Sequence, residues 1–283
     1  MANILSLKRR IQTAQNVAKT TKALQMIAAS KLKRAQDAAL MSRPYVDKLT
    51  VLSKDLASRV EKENMHPYML ENPTEKQLTI VISPDKGLCG SLITNLIREV
   101  ILNENKNISY IVLGNKLDAA LRRLNKEVVA SFPFGTTLPS FDVVYPMLQL
   151  IDDYFFNKKV SKVNVISAKF VSVFTQKAAS EILLPIKLDN PEEKAETSLF
   201  EPKVDELLPD ILRHFLEMSI YHSVVETYAS EQASRMISMK NATDNANDVI
   251  SQLQLEYNKG RQEKITSEIL DIGGATIALN YEE

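Results

Sequence analysis

The chain has 283 residues, of which 45% are hydrophobic and 25% are charged, and its formal net charge is zero. These proportions are typical of soluble globular proteins. A single cysteine, Cys89, excludes a framework of intrachain disulfides and favours a reducing compartment. No apolar run approaches the ~20 residues that a membrane-spanning helix needs. The start "MANILSLKRRIQ" carries its charges after the apolar patch, the wrong order for a secretory signal. We therefore expect a cytosolic protein, intact from Met1 and without a transmembrane segment.

The zero net charge conceals two oppositely charged ends. Residues 1–60 contain twelve Lys or Arg against three Asp, a net charge of +9, and residues 210–283 contain six basic against twelve acidic side chains, a net charge of −6. A basic end alone would suggest nucleic acid as a partner. A basic end matched by an acidic one in the same chain suggests instead that the two ends face each other.

Residues 1–65 predict one long helix, since they lack glycine and contain only one proline, Pro44. Thr21 and Gln25 are polar interruptions of its seam, of the kind that fix register and lower stability. Small alanines at other seam positions would let a partner helix approach closely. The apolar and small residues follow the alternating three- and four-residue spacing of a coiled coil at positions 4, 7, 11, 14, 18, 21, 25, 28, 32, 35 and 39.

Residues 75–190 predict a central, Rossmann-like α/β domain. Apolar, β-branched runs alternate with helical segments along it, and this alternation is typical of a mainly parallel sheet covered by helices. The predicted strands are residues 77–83, 108–114, 127–131, 163–175 and 180–188.

The loop between the first strand and the helix after it is where a doubly wound fold would bind a nucleotide. Its sequence "PDKGLCGS" lacks the GK[ST] of a phosphate loop and the third glycine of a dinucleotide fingerprint. We interpret it as a tight turn that needs Gly87 and Gly90 for backbone freedom. Cys89 has no histidine beside it in the sequence, which favours a packed thiol over a nucleophile.

The three histidines, His66, His214 and His222, have no metal-ligand spacing with Cys89 or with one another. His214 and Asp210 could share one helix face, but we favour no metal site there. The sequence therefore predicts no catalytic residue, no cofactor and no metal.

Residues 208–275 predict a second coiled-coil helix, and residues 276–283 a C-terminal tail. Within the helix, "MISMKNATDNANDVI" (236–250) has no Gly or Pro, yet it carries Thr243 and three Asn. It is either an imperfect coiled-coil strut or a shaft whose polar outer face contacts a partner. The seam would run through positions 211, 215, 218, 222, 225, 229, 232, 236, 239, 243, 246, 250, 253 and 257.

Both helices join the same central domain, one at each of its ends, so they must run antiparallel if they pair. The predicted fold class is therefore α/β, with a long antiparallel coiled coil of the N- and C-terminal helices plus the central Rossmann-like domain.

Four separated motifs stand out along the chain: "KALQMIAASKLKRAQ" (22–36), "SPDKGLCGSLITN" (83–95), "ASEQASRMISMKNATDNA" (229–246) and "YNKGRQEKITSEILDIGGA" (257–275). They resemble the gamma subunit of the F-type ATP synthase, and in particular its bacterial members. They occur in the family's order and span the whole chain, which makes the resemblance specific.

The resemblance implies a non-catalytic rotor shaft that couples ion flow through a membrane ring to ATP synthesis and hydrolysis at beta-subunit sites. The implied partners are the alpha and beta subunits of the catalytic hexamer, the epsilon subunit and the c-subunit ring, at the cytoplasmic face of the bacterial inner membrane. From the residues alone, two other classes stay open: a coiled-coil nucleic-acid-binding or scaffold protein, and a nucleotide enzyme built on the α/β domain.

The family's functional positions are carried over onto matching residues. Arg261 and Gln262 match a pair that contacts a beta-subunit loop. Arg235 and Met236 match a coupling stretch opposite the motif around Met26. Further coupling and coiled-coil positions match Leu24, Met239, Asn241 and Asp244. The C-terminal segment that enters the apolar sleeve of the hexamer matches Thr266, Glu268, Asp271, Gly274 and Ala275.

Overall fold

The computed structural model describes residues 4–59, 65–103, 107–186, 201 and 203–280. Two long helices, α1 (Ile4–Ser58) and α5 (Val204–Asn280), bracket an α/β region. The chain forms two compact units. The first contains the residues up to Ile27 together with those from Ser238 onward, and the second is Ala28–Ile237. Both long helices therefore contribute to both units.

The second unit contains a five-stranded sheet. Two short 3-10 turns, Pro67–Met69 and Phe141–Val143, accompany it. Its regular elements, in chain order, are β1 (Gln77–Ile82), α2 (Leu92–Leu102), β2 (Ile108–Leu113), α3 (Asn115–Arg123), β3 (Glu127–Phe132), α4 (Val144–Phe156), β4 (Lys162–Phe170) and β5 (Gln176–Leu184).

The strand order is β3-β2-β1-β4-β5, with β5 antiparallel to β4 and the other neighbours parallel. Strand β1 lies at the centre of the sheet and is buried on both faces from Leu78 to Ile82, which explains why Thr79 is the one polar residue among these five. Ile80 and Ile82 belong to one core cluster and Val81 to the other, as the alternation of side chains along a strand requires. The predicted parallel α/β fold is confirmed.

The expected strand 163–175 is wrong at its C-terminal end, because β4 stops at Phe170. Residues 171–175 form a turn in which the Val171 amide donates to the Thr175 carbonyl, at 3.2 Å. The Ser172 hydroxyl accepts from the Thr175 amide at 3.1 Å, a local bond that competes with strand pairing. The apolar run "VSVF" resembles a strand, yet the Phe174 side chain is 81% exposed at this turn.

One core cluster joins the sheet to both long helices. It includes Leu32 and Leu56 from α1, and Leu212, Leu216 and Ile220 from α5. The Tyr45 hydroxyl and His214 Nε2 also meet at 2.7 Å, between the two helices. Within this unit α5 is thus part of the core of the α/β region.

The first unit is an antiparallel helix pair. The hydroxyls of Thr21 and Thr243 are 2.7 Å apart, and a Cβ built on Gly260 would lie 3.9 Å from Cγ1 of Ile4. Seventeen residues separate these contact points on either helix, 4 to 21 on α1 and 243 to 260 on α5. The seam between them is uncharged and buries Leu7, Ala18, Met239 and Leu253, which confirms the antiparallel coiled coil.

Candidate functional site

The glycine-containing loop 83–91 follows β1 at the carboxyl edge of the sheet. Asp85 fixes it to two neighbouring segments, since Oδ1 accepts from the Asn115 amide and Oδ2 from the Gly135 amide, both at 2.8 Å. The Ser83 hydroxyl donates to the Gly114 carbonyl at 3.2 Å. The Asp85 carboxylate and the Ser83 hydroxyl are thus used to hold the backbone of the chain's own fold.

Helix α5 occupies the crevice beside this loop. The Ser234 hydroxyl donates to the Cys89 carbonyl at 2.6 Å. The Arg235 guanidinium donates to the carbonyls of Lys86 and Gly87, at 3.3 Å each, and forms an ion pair with Glu231 at 2.6 Å. In doubly wound folds ligands bind at this edge, where the strand order reverses. Here side chains of the chain's own C-terminal helix fill that place.

The backbone of the loop corrects one expectation. Gly90 has φ of +55°, as the interpretation as a tight turn required, but Gly87 does not have a positive φ. The other left-handed residue of the loop is Leu88, at φ +64°, and its side chain is exposed. Gly87 instead presents its carbonyl to Arg235.

Cys89 is the packed thiol that the sequence predicted. Its side chain is 1% exposed and belongs to the smaller core cluster. Burial raises the pKa of the thiol, which lowers the fraction of the nucleophilic thiolate at neutral pH. The residue is therefore chemically quiet in the folded chain.

The histidines hold structural contacts. His214 Nδ1 lies 3.4 Å from Glu217, in addition to its bond with Tyr45, and His222 lies 3.9 Å from Glu226. Burial lowers the pKa of His66. Within the described ranges, His, Cys, Asp and Glu side chains form no group of three that could hold a metal ion. In the same part of the chain, no helix is both long and apolar enough to cross a membrane.

The predicted coupling residues divide between the two units. In the second unit, Arg235 holds the loop and Met236 packs against the larger core cluster. In the first unit Met239 is buried and Leu24 half-buried, whereas the exposed side chains are those of Met26, Asn241 and Asp244.

Thr243 does not join the exposed polar face of residues 241–248. It is buried in the seam, where its hydroxyl donates to the Met239 carbonyl at 2.8 Å and meets Thr21. The Thr21 hydroxyl likewise lies 3.0 Å from a carbonyl of its own helix, that of Val17, and either threonine can donate to the other. The neighbouring asparagines are exposed. The polar residues of this stretch therefore lie on two surfaces, the seam between the helices and the outer face of α5.

The C-terminal candidates lie along one exposed stretch of α5. Arg261 and Gln262 are exposed, but successive helical residues point about 100° apart, so they belong to different faces. Glu268 pairs with Lys264 at 3.6 Å. Thr266 and Asp271 are also exposed, the former with its hydroxyl on the Gln262 carbonyl. Gly274 and Ala275 fall in the last part of α5, where only the backbone is described.

Sequence reasoning missed a polar stripe on the buried part of α5. Thr227 and Ser230 both bind Ala168 of β4, the former accepting from its amide at 3.1 Å and the latter donating to its carbonyl at 2.9 Å. Their signal was the spacing of Thr, Ser and Ser at positions 227, 230 and 234, on one helix face.

The comparisons with known proteins extend over almost the whole chain. A family model described as ATP synthase matches residues 3–279. The ATP synthase gamma chain of Dehalococcoides mccartyi is 39% identical over 284 residues, covering 99% of this chain and all of the relative. The gamma chain of Legionella pneumophila strain Corby is 34% identical over 289 residues, with the same coverage.

The fold has counterparts among solved structures. A chain of the Euglena gracilis mitochondrial ATP synthase, OSCP/F1/c-ring in rotational state 3, superposes with a TM-score of 0.72 at 19% identity, covering 98% of this chain and 94% of that one. A chain of the rotor of the same enzyme in rotational state 1 gives 0.69 at 18% identity, covering 93% and 98%. The nucleic-acid or scaffold alternative is not favoured by these matches, and the chain belongs to the gamma chain family of the ATP synthase.

Proposed function

We propose that this gamma chain is the central rotor shaft of an F-type ATP synthase, and that it couples ion flow through a membrane ring of c subunits to ATP synthesis and hydrolysis at beta-subunit sites. The observation that carries the proposal is its full-length similarity to ATP synthase gamma chains. The chain is accordingly a stalk subunit and not the catalytic one. Its partners are the alpha and beta subunits, the epsilon subunit and the c ring, at the cytoplasmic face of the bacterial inner membrane.

The end of α5 has the surface of a helix that works inside a partner. Large apolar side chains are exposed on it, although a protein that acts alone would bury most of them. A hexamer with an apolar sleeve would cover this stretch. These side chains are Leu255, Ile265, Ile269, Leu270 and Ile272.

Arg261 and Gln262 supply the polar contact in this proposal. Arg offers a rigid fork of donors to carboxylates or carbonyls, and Gln adds both a donor and an acceptor. Both side chains are exposed and therefore accessible to a beta-subunit loop. A contact of this kind, formed at some rotor angles only, shapes the energy profile of rotation more than the stability of the assembly.

The test is a double substitution, Arg261→Ala with Gln262→Ala, in the complete enzyme on membranes that carry equal amounts of assembled complex. We expect assembly with the alpha and beta subunits to persist. The ATPase rate should fall several-fold, and ion pumping should fall at least in proportion. Because the two residues lie on different faces of α5, each single substitution should give part of the effect.

The matched control is Gln252→Ala with Gln254→Ala, two exposed glutamines earlier on the same helix. It should leave both rates at the wild-type level. Wild-type rates in the Arg261/Gln262 variant would contradict the assigned contact. Absence of pumping in membranes assembled with the unaltered chain would contradict the rotor function itself.

A further inference from the structure

The carboxyl end of β4 extends beyond the strand next to it. Parallel pairing of β1 with β4 ends at Val81 opposite Ile166, whereas β4 continues to Phe170. On its other side β4 pairs with β5 as far as Phe170. The backbone groups of β4 that face β1 therefore need partners from another element after Ile166, because a buried, unpaired amide or carbonyl is costly.

Helix α5 supplies those partners. Ala168 is fully buried, and both its amide and its carbonyl bind α5, through the hydroxyls of Thr227 and Ser230. One turn beyond Ser230 on the same helix, Ser234 binds the Cys89 carbonyl and Arg235 binds those of Lys86 and Gly87. We call Thr227, Ser230, Ser234 and Arg235 the anchor stripe.

The anchor stripe binds backbone atoms over about 12 Å of helix length, at 1.5 Å per residue. Apolar packing tolerates small rotations, whereas hydrogen bonds weaken steeply as their angles depart from linearity. Glu231 adds to this constraint: it is 4% exposed and holds Arg235 through Oε1, while Oε2 is buried without a hydrogen-bond partner among the described residues. The guanidinium is therefore oriented from both sides.

We infer that the anchor stripe fixes the rotation of α5 about its own axis against the sheet and the 83–91 loop, so that torque passes between α5 and the α/β region without slip. The part that concerns torque rests on the proposed rotor function; the part that concerns the fixed helix does not. Hydroxyls on a buried helix face thus connect α5 mechanically to the α/β region, and α5 is held in the crevice where other folds bind a nucleotide.

Cys89 is a built-in probe of this coupling, because it is the only cysteine and is a buried residue of the loop that the stripe holds. The test variant is Thr227→Val with Ser230→Ala and Ser234→Ala, which removes the hydroxyls and keeps the volume close to native. The matched control is Ser219→Ala with Ser223→Ala, whose hydroxyls bind carbonyls of α5 itself, those of Phe215 and Ser219. It removes hydroxyls from the same helix without touching sheet or loop.

In the folded, full-length chain, a thiol reagent should label Cys89 roughly tenfold faster in the test variant than in the wild type, since several backbone bonds to the sheet and loop are lost. The control variant should label at the wild-type rate. If the triple variant does not fold, Ser234→Ala alone and Arg235→Lys, which keeps the charge but loses the fork, should each accelerate labelling. Equal labelling in test and wild type, or equal acceleration in the control, would overturn the inference.

The torque part is tested in the assembled enzyme by the ratio of ions pumped to ATP hydrolysed. We expect this ratio to fall in the test variant and to stay at the wild-type value in the control. Faster labelling with an unchanged ratio would overturn the mechanical role. If the unaltered chain supports no pumping at all, the rotor function fails, while the labelling result still decides whether α5 is fixed to the sheet.

Discussion

Helix α5 contains one stretch with mostly buried side chains and another with mostly exposed side chains. Between residues 208 and 233 its side chains form part of the core of an α/β region, with Leu212, Leu216 and Ile220 fully buried. Between residues 254 and 272 almost every side chain is exposed, including Leu255 at 72%. The difference teaches that continuity of a helix does not imply a common source of stability: the first stretch is held by the chain's own core, whereas the second leaves its apolar side chains exposed.

The largest expected effect that tests this difference comes from replacing one leucine in each stretch by alanine. Leu216→Ala opens a cavity at a fully buried position and should lower the free energy of unfolding by about 2–5 kcal/mol. Leu255→Ala, the matched control on the same helix, should change it by less than about 0.5 kcal/mol, because the side chain is already in water. Urea denaturation of the isolated chain measures both, and similar losses would contradict the division.

A smaller effect comes from the charges of the two stretches. Burial raises the pKa of the Glu231 carboxyl, while Arg235 acts in the opposite direction. The folded chain therefore holds this proton to higher pH than the unfolded chain does. The stability that this proton contributes is fully present below about pH 4.5, the ordinary pKa of a glutamate carboxyl. It is lost as the pH rises through the raised pKa of Glu231.

The Glu231→Gln variant cannot ionise at this position. As the pH rises through this window, its free energy of unfolding should therefore increase relative to that of the wild type. The control is Glu268→Gln, at an exposed glutamate of the second stretch. Denaturant titrations at a series of pH values measure the difference. A wild-type-minus-variant difference that does not change with pH would contradict the burial of this charge.

The smallest expected effect concerns the seam of the first unit. Thr243→Val removes the hydroxyl that faces Thr21 and should lower the free energy of unfolding by about 1 kcal/mol. Replacing Thr21 by Val as well should lower the free energy of unfolding by less than the sum of the two single losses, because the contact between the two hydroxyls can be lost only once. The Thr21 hydroxyl otherwise bonds the Val17 and Ala18 carbonyls of its own helix. A double-mutant cycle isolates the coupling between the two residues. Strict additivity would mean that the threonines do not interact.

Much of the fold was accessible from sequence because it depends on periodicity. The three- and four-residue spacing predicted the helix pair, and apolar strands alternating with helical segments predicted the parallel sheet. The turn at 171–175 was missed because an apolar run continued through it, and a serine hydroxyl decided the local geometry. The anchor stripe was missed for a different reason: the spacing of its hydroxyl residues places them on one helix face, but it does not reveal that Thr227 and Ser230 bind backbone atoms of β4, which is distant in sequence.

The central claim, that this gamma chain turns as a shaft, is tested most directly by watching it rotate. Phe174, exposed at the turn after β4, can be replaced by Cys in a Cys89→Ser background and joined to a bead, with the alpha–beta hexamer fixed to a surface. On addition of ATP, the bead should rotate continuously in one direction and pause once for each beta site. A bead that only diffuses while the same complexes hydrolyse ATP would contradict the account.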